Sequence, residues 1–275
     1  MTKILDGKSL ADQKLAELKA KITVSPKKPG LVVVLVGDDP SSHLYINLKE
    51  EAGQNVGIHF EKHLFSKDAE EKEIISKIKE LNKQENIHGI IVQLPLPPNL
   101  NQSKIINAIN PQKDADRFHP KNIKKFQKGK LKIVSPLLQT IELFLQQTAE
   151  DLQDARGVIL GNSEIFVQNT ATSLERFGIK SRHFHKIDER SIEALKQADV
   201  VITALGQPRC LTGEMIKKGS IIIDVGITKT ENKTIGDVDL KSVKGTAAYL
   251  TPVPGGVGPM TVAILLENTY KLSLS

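Results

Sequence analysis

Two spacings of apolar residues alternate along this chain: short unbroken runs rich in Val and Ile, and longer segments where apolar residues return every three or four positions. The first is the habit of strands covered on both faces, the second that of helices laying one stripe on a sheet. LVVVLVG (31–37) predicts a buried strand. Residues 41–55 predict a helix, entered through DDPSS with its proline and capping residues and left near Gly57. HFEKHLF (59–65) alternates like a strand, and EEKEIISKIKELNKQ (70–84) places Ile74, Ile75, Ile78 and Leu81 on one helical stripe. IHGIIVQLPLPP then predicts a third strand, which Pro95, Pro97 and Pro98 stop because they cannot continue a central ladder.

A second series follows a helix at 137–148. GVILG (157–161), SRHFH (181–185), DVVITAL (199–205) and SIIIDVG (220–226) read as strands separated by amphipathic segments. That order predicts an α/β chain whose second half is a small doubly wound, Rossmann-type domain. VGPMTVAILLENTYKL predicts a final helix, after a proline-glycine loop, that packs back on the first domain. The expected division is 1–137, completed by 257–275, and 138–256. No internal repeat or low-complexity segment is evident.

Composition narrows the function classes. With 275 residues the chain can bury its cores without staples, and Cys210, its one cysteine, can form no internal bridge, so a reducing cytoplasm is the natural compartment. MTKILDGKSLADQKL lacks the continuous apolar stretch of a signal peptide, and no segment has the length of a membrane span. The net charge of +6 suits an anionic ligand but does not indicate nucleic acid: there is no Trp, and no basic run carries interleaved aromatics. The densest basic stretch, 121–132, reads as a solvated loop or an anion-attracting rim.

Several residues stand out chemically. Tyr45 and Lys49 are four apart on the expected first helix and share a face, although such pairs are usually ordinary helix surface. Gln93 lies at the carboxyl end of an apolar strand, where open parallel sheets place ligands. Asp114, Asp116 and His119 occupy NPQKDADRFHP, where carboxylates usually cap or face water and a surface histidine is expected. TPVPGGVGPMT (251–261) concentrates two prolines and three glycines before a helix, more than one turn needs, and reads as a ligand-contacting loop.

In order, VGDDPSSHLYINLK, GIIVQLPLP, PQKDADRFHP, IIIDVG and YLTPVPGGVGPMT closely resemble the bifunctional methylenetetrahydrofolate dehydrogenase/cyclohydrolases. The likeness runs from about residue 6 to 268 with compatible spacing. It implies two α/β domains with a cleft between them, tetrahydrofolate one-carbon derivatives as substrates, NADP or NAD as cofactor, and a homodimer formed through the cofactor domain. It also implies that Lys49 is the acid/base of methenyl hydrolysis, that Gln93 orients it, that Tyr45 stacks on the aminobenzoyl group and that Asp116 holds the pterin. Pro254, Gly255 and Gly256 would border the meeting point of folate and nicotinamide, and Gly161, Asn162, Ser163, Lys186 and Ile227 would contact the cofactor.

The departures from that pattern are specific. GNSEIFVQN (161–169) has Val167 for a glycine and Asn169 for a proline, so a side chain is expected to intrude where backbone approaches the dinucleotide phosphates. Asn162 replaces an arginine that faces the 2′-phosphate in many members, and FHKID (184–188) brings Lys186 as an alternative phosphate partner. Arg117 follows Asp116 where glycine is usual, and Val134, Ser135 and Leu138 replace most of a P-C-T-P-x-G pattern. A cyclohydrolase without dehydrogenase activity, or a noncatalytic folate-binding paralogue, are the alternatives these changes raise.

Overall fold

The computed structural model describes residues 1–230 and 233–275. The chain opens with β1 (Lys3–Ile4) and α1 (Gly7–Thr23), followed by β2 (Gly30–Val36), α2 (Pro40–Val56), β3 (His59–Phe65), α3 (Glu71–Leu81), β4 (Gly89–Val92), α4 (Gln102–Asn107), α5 (Pro120–Gln127) and α6 (Pro136–Thr148). It continues with β5 (Arg156–Gly161), α7 (Glu164–Glu175), β6 (Lys180–Phe184), α8 (Glu189–Leu195), β7 (Val200–Ala204), β8 (Ile221–Asp224), β9 (Thr228–Thr230), β10 (Lys233–Ile235), α9 (Leu240–Val243), β11 (Tyr249–Leu250) and α10 (Val257–Ser273). Two compact units result: Ala11–Pro136 with Val262–Ser275, and Met1–Leu10 with Leu137–Thr261.

The first unit is built on a parallel sheet in the order β3-β2-β4. Its central strand β2 is buried along its whole length, and the period of two sorts its side chains. Leu31, Val33 and Leu35 join Leu18, Ile46, Leu265 and Leu266 in one core, while Val32, Val34 and Val36 join Ile74, Ile78 and Leu81 in another. A continuous apolar strand between two helical layers is what the unbroken LVVVLVG run dictates.

The second unit holds a six-stranded parallel sheet in the order β1-β11-β8-β7-β5-β6. Val158, Val201, Ile222 and Leu250 line one of its faces against Ala194 and Leu195 of α8. The α/β class and the Rossmann-type second sheet agree with the sequence reading. By packing, residues 1–10 go with the six-stranded unit, because β1 pairs with β11, and that unit runs to Thr261. The two-residue strands β1 and β11 and the long helix α1 were not legible as elements, the strands because two residues carry no period.

Candidate active site

The amine comes from α2. Asp39 caps this helix, accepting from Ser42 N at 2.7 Å, Pro40 occupies its first turn, and Gly57 ends it with φ 92°. Ile46 is buried and Gly53 is packed so closely that a Cβ there would lie 3.2 Å from the Phe60 ring. Ile46, Lys49, Gly53 and Val56 therefore form one inward stripe, and Lys49 is the charged member of it. Tyr45, one turn earlier, is half-buried, and that burial raises its phenol above the usual value.

The amide comes from the chain just beyond β4. Gln93 N continues the ladder by donating to Val34 O at 2.9 Å, and its side-chain Nε2 donates to Leu94 O at 2.8 Å. With the nitrogen anchored, Oε1 is left to accept from Lys49 Nζ at 2.9 Å. The helix stripe and the strand end thus bring together two side chains 44 positions apart.

Asp116 supplies the third group. Ile90 of β4 bridges to Asp114, which is buried and accepts from His119 N and from Asn122 Nδ2, each at 2.8 Å. That anchor fixes the loop from which Asp116 projects. Burial lowers the Lys49 pKa and the nearby Asp116 charge opposes the effect. Reciprocally, burial pushes the Asp116 carboxyl up to about 6, against the pull of Lys49 and with the push of Asp114. Among the described residues the two close no direct ion pair, so burial keeps the amine's pKa lowered, the direction an acid/base needs.

His119 is not the surface histidine the sequence suggested. It is buried, and its Nδ1 caps α5 by accepting from Lys121 N at 3.0 Å. Arg117 does take the left-handed conformation that glycine favours, with φ 64°, a strain of about 1–2 kcal/mol for a residue with a Cβ.

In the six-stranded unit, Gly161 ends β5 and Ser163 caps α7, its side chain accepting from Phe166 N. Asn162 and Ser163 are exposed at this turn, as are the first residues of α7. A helix N-terminus beyond the carboxyl end of a parallel strand is suited to an anionic phosphate group. Val167 does not intrude there: it is 0 % exposed and packs inward from the first turns of α7. A Cβ on Gly161 would lie 2.8 Å from the Phe166 ring, so Gly161 is required by close packing at this turn. The same edge is scaffolded by two carboxylates that sequence reasoning missed. Asp237 accepts from Thr203 Oγ1, Leu205 N and Gln207 N, and Asp224 accepts from Gly226 N and Val238 N. Burial first, and Asp237 next to it, raise Asp224 to about 7. Asn162 Nδ2 donates to Leu205 O at 2.6 Å, tying the two loops together, and Ile227 follows as an exposed apolar residue. Lys186 is exposed beyond β6 with Asp188 3.8 Å away. These residues fit a dinucleotide.

In the proline-glycine loop Pro254 is exposed and Gly255 has φ 101°. Gly256 is buried, and a Cβ there would sit 2.5 Å from Pro252 O. Its glycine is needed by the loop itself. Among the described residues there is no cluster of side chains that could hold a metal ion, and no helix long and apolar enough to cross a membrane.

A dinucleotide-binding sheet in one unit and a partly desolvated amine–amide–carboxyl group in the other define a two-unit α/β enzyme class that joins cofactor chemistry to acid–base chemistry. Family models place it further: the catalytic domain of tetrahydrofolate dehydrogenase/cyclohydrolase matches residues 5–116, and its NAD(P)-binding domain matches residues 138–274. The chain belongs to the tetrahydrofolate dehydrogenase/cyclohydrolase family. It is 42% identical to the bifunctional protein FolD of a Hydrogenobaculum species, over 98% of this chain and 97% of the relative. A FolD methylenetetrahydrofolate dehydrogenase/cyclohydrolase from Campylobacter jejuni has a solved structure that superposes with a TM-score of 0.92 at 36% identity, covering 100% of this chain and 99% of that one. The Trypanosoma brucei dehydrogenase-cyclohydrolase, solved with NADP and an inhibitor, superposes with a TM-score of 0.93 at 28% identity over 99% and 97% of the two chains.

Proposed function

We propose that this chain interconverts tetrahydrofolate one-carbon forms, hydrolysing 5,10-methenyltetrahydrofolate to 10-formyltetrahydrofolate and oxidising 5,10-methylenetetrahydrofolate with NADP or NAD. The observation that carries the hydrolytic half is the Lys49 Nζ to Gln93 Oε1 hydrogen bond of 2.9 Å in a desolvated setting. Water adds to the methenyl carbon, the amine of Lys49 takes up a proton from it, and a proton is returned to N5 as the carbon–N5 bond breaks. The proton released overall is the one the new hydroxyl loses on becoming the formyl carbonyl. Gln93 keeps the amine aimed, Asp116 holds the pterin by hydrogen bonds, and Tyr45 offers its ring to the aminobenzoyl group.

The bound dinucleotide supplies a hydride acceptor for the oxidative half. Gly161, Asn162 and Ser163 would hold its phosphates, Lys186 adds a cation, and Ile227 an apolar contact, while Pro254 and Gly255 present a rigid exposed loop toward ligand. A cytoplasmic homodimer is part of the same proposal; the family likeness supports it, and β6 leaves one edge of the six-stranded sheet uncovered by another strand.

One observation favours a hydrolase-only reading: Glu164 lies exposed in the first turn of α7, adding negative charge where phosphates would approach. A dual assay on one preparation decides, following reduced nicotinamide and methenyl loss separately. Both activities are expected. Gly161→Ala should weaken cofactor affinity about tenfold, the effect of roughly 1.4 kcal/mol, and spare hydrolysis. Hydrolysis without hydride transfer would establish the second reading, and the absence of both would sink the proposal.

A further inference from the structure

A cavity of about 830 Å³ opens in the three-stranded unit, away from Lys49. It lies at the amino ends of β2 and β4, where Gly30 N donates to the His88 ring at 3.0 Å, whereas Gln93 follows the carboxyl end of β4. The four residues of β4 separate the two places by about 13 Å at the usual strand rise.

Its lining is strongly one-signed. Lys27, Lys83, Lys113, Arg117, Lys125 and Lys130 all contribute, and Glu85 is the one acidic side chain among the lining residues. Among the described residues none of these cations closes an ion pair. Lys113 is tethered by donating to Gln84 O at 2.6 Å, and burial lowers its pKa. His88 is held below the usual histidine range by burial and then by the charges of Lys113 and Lys27. Like charges crowded round one hollow repel, and Glu85 near Lys113 and Asp114 near Arg117 offset only part of that charge.

The second observation is Arg117. It is 7 % exposed, its Nη1 donates to Pro111 O at 3.1 Å, and its buried Nε has no hydrogen-bond partner. A guanidinium buried with an orphaned donor, on a backbone with φ 64°, is expensive to keep, and it belongs to the lining of a cavity that collects the same charge.

We propose that this cavity is a binding site for a small soluble polyanion bearing several closely spaced negative charges, with Arg117 and the surrounding lysines as its receptors. A volume of about 830 Å³ is in the range of small-molecule sites, and lysine and arginine are the receptors that linked phosphates or clustered carboxylates require. Through the peptide that joins them, the occupant would sit one residue from Asp116.

Calorimetric titration of the full chain at low salt with sodium tripolyphosphate, and separately with citrate, tests this. At least one should bind in the micromolar range and weaken as salt is raised, and the tighter of the two identifies phosphate or carboxylate as the source of charge. The triple variant Lys83→Ala/Lys125→Ala/Lys130→Ala, whose thermal midpoint serves as the folding control, should bind at least tenfold more weakly. Binding weaker than about 1 mM for both probes, or equal binding by wild type and the triple variant, would overturn the proposal. So would tighter binding of a single-stranded oligonucleotide through the same lysines.

Discussion

Replacing Lys49 by alanine is expected to slow methenyltetrahydrofolate hydrolysis by about 10²- to 10⁴-fold, the usual worth of a positioned acid/base. The amine is the one charged member of the inward stripe of α2, and its hydrogen-bond acceptor, Gln93 Oε1, is itself fixed by the Nε2 bond to Leu94 O. Neither the sheet nor the two cores depends on it, so the variant should keep its fold and its hydride transfer. Lys49→Arg should be nearly as inactive, because a guanidinium does not release its proton in this pH range. Single-turnover hydrolysis monitored by methenyl absorbance, beside far-ultraviolet circular dichroism, checks both. Full activity in Lys49→Ala would remove the chemical assignment.

Asp116→Asn is expected to have two effects of opposite sign. Loss of a carboxylate's hydrogen bonds to the pterin should cost about 1.5–3 kcal/mol in transition-state binding, roughly 10- to 150-fold in kcat/KM. Stability should move the other way. The folded carboxyl titrates at about 6 against 3.8 for the free side chain, so its favourable contribution is complete below about 3.8 and is lost as pH rises through about 6. The difference corresponds to about 3 kcal/mol at 1.36 kcal/mol per unit, and to about 1–2 kcal/mol once solvent screening of a half-buried group is included. Thermal unfolding of the two proteins should therefore coincide near pH 4 and diverge above pH 6, with the asparagine variant the more stable. A variant less stable at pH 7 than at pH 4, relative to wild type, would contradict the burial of this carboxyl.

Much of the fold was legible because its central strands are covered on both faces. An unbroken LVVVLVG run has few other uses, and α3 shows its stripe in Ile74, Ile78 and Leu81. Helix α1 was harder: GKSLADQKLAELKAKIT scatters Lys8, Lys14, Lys19 and Lys21 along it, so its buried residues, Ala11, Leu18 and Ile22, do not stand out. The pairing of β1 with β11 joins residues at opposite ends of the chain, and no local pattern announces it.

The amine and amide were found through family likeness, yet a physical signal was present. Lys49 sits three residues after Ile46 and four before Gly53, on the face that packs against the sheet. A lysine on such a stripe is itself a mark of function. Val167 misled for the converse reason. Its position in the motif suggested a clash with phosphate, but the helical turn rotates it inward to complete the core, and only three-dimensional direction could reveal that. Asp224 and Asp237 were passed over because a carboxylate that holds loop amides looks, in one dimension, like any loop carboxylate.

The reactivity assigned to Lys49 is tested most directly by titrating its ε-carbon by NMR in protein labelled at lysine, with Lys49→Ala supplying the assignment. A midpoint clearly below the ordinary 10.5 is expected, with the resonance lost in the variant. A midpoint at or above 10.5 would mean that burial does not outweigh the pull of Asp116, so the amine stays charged and could not serve as the base that water needs.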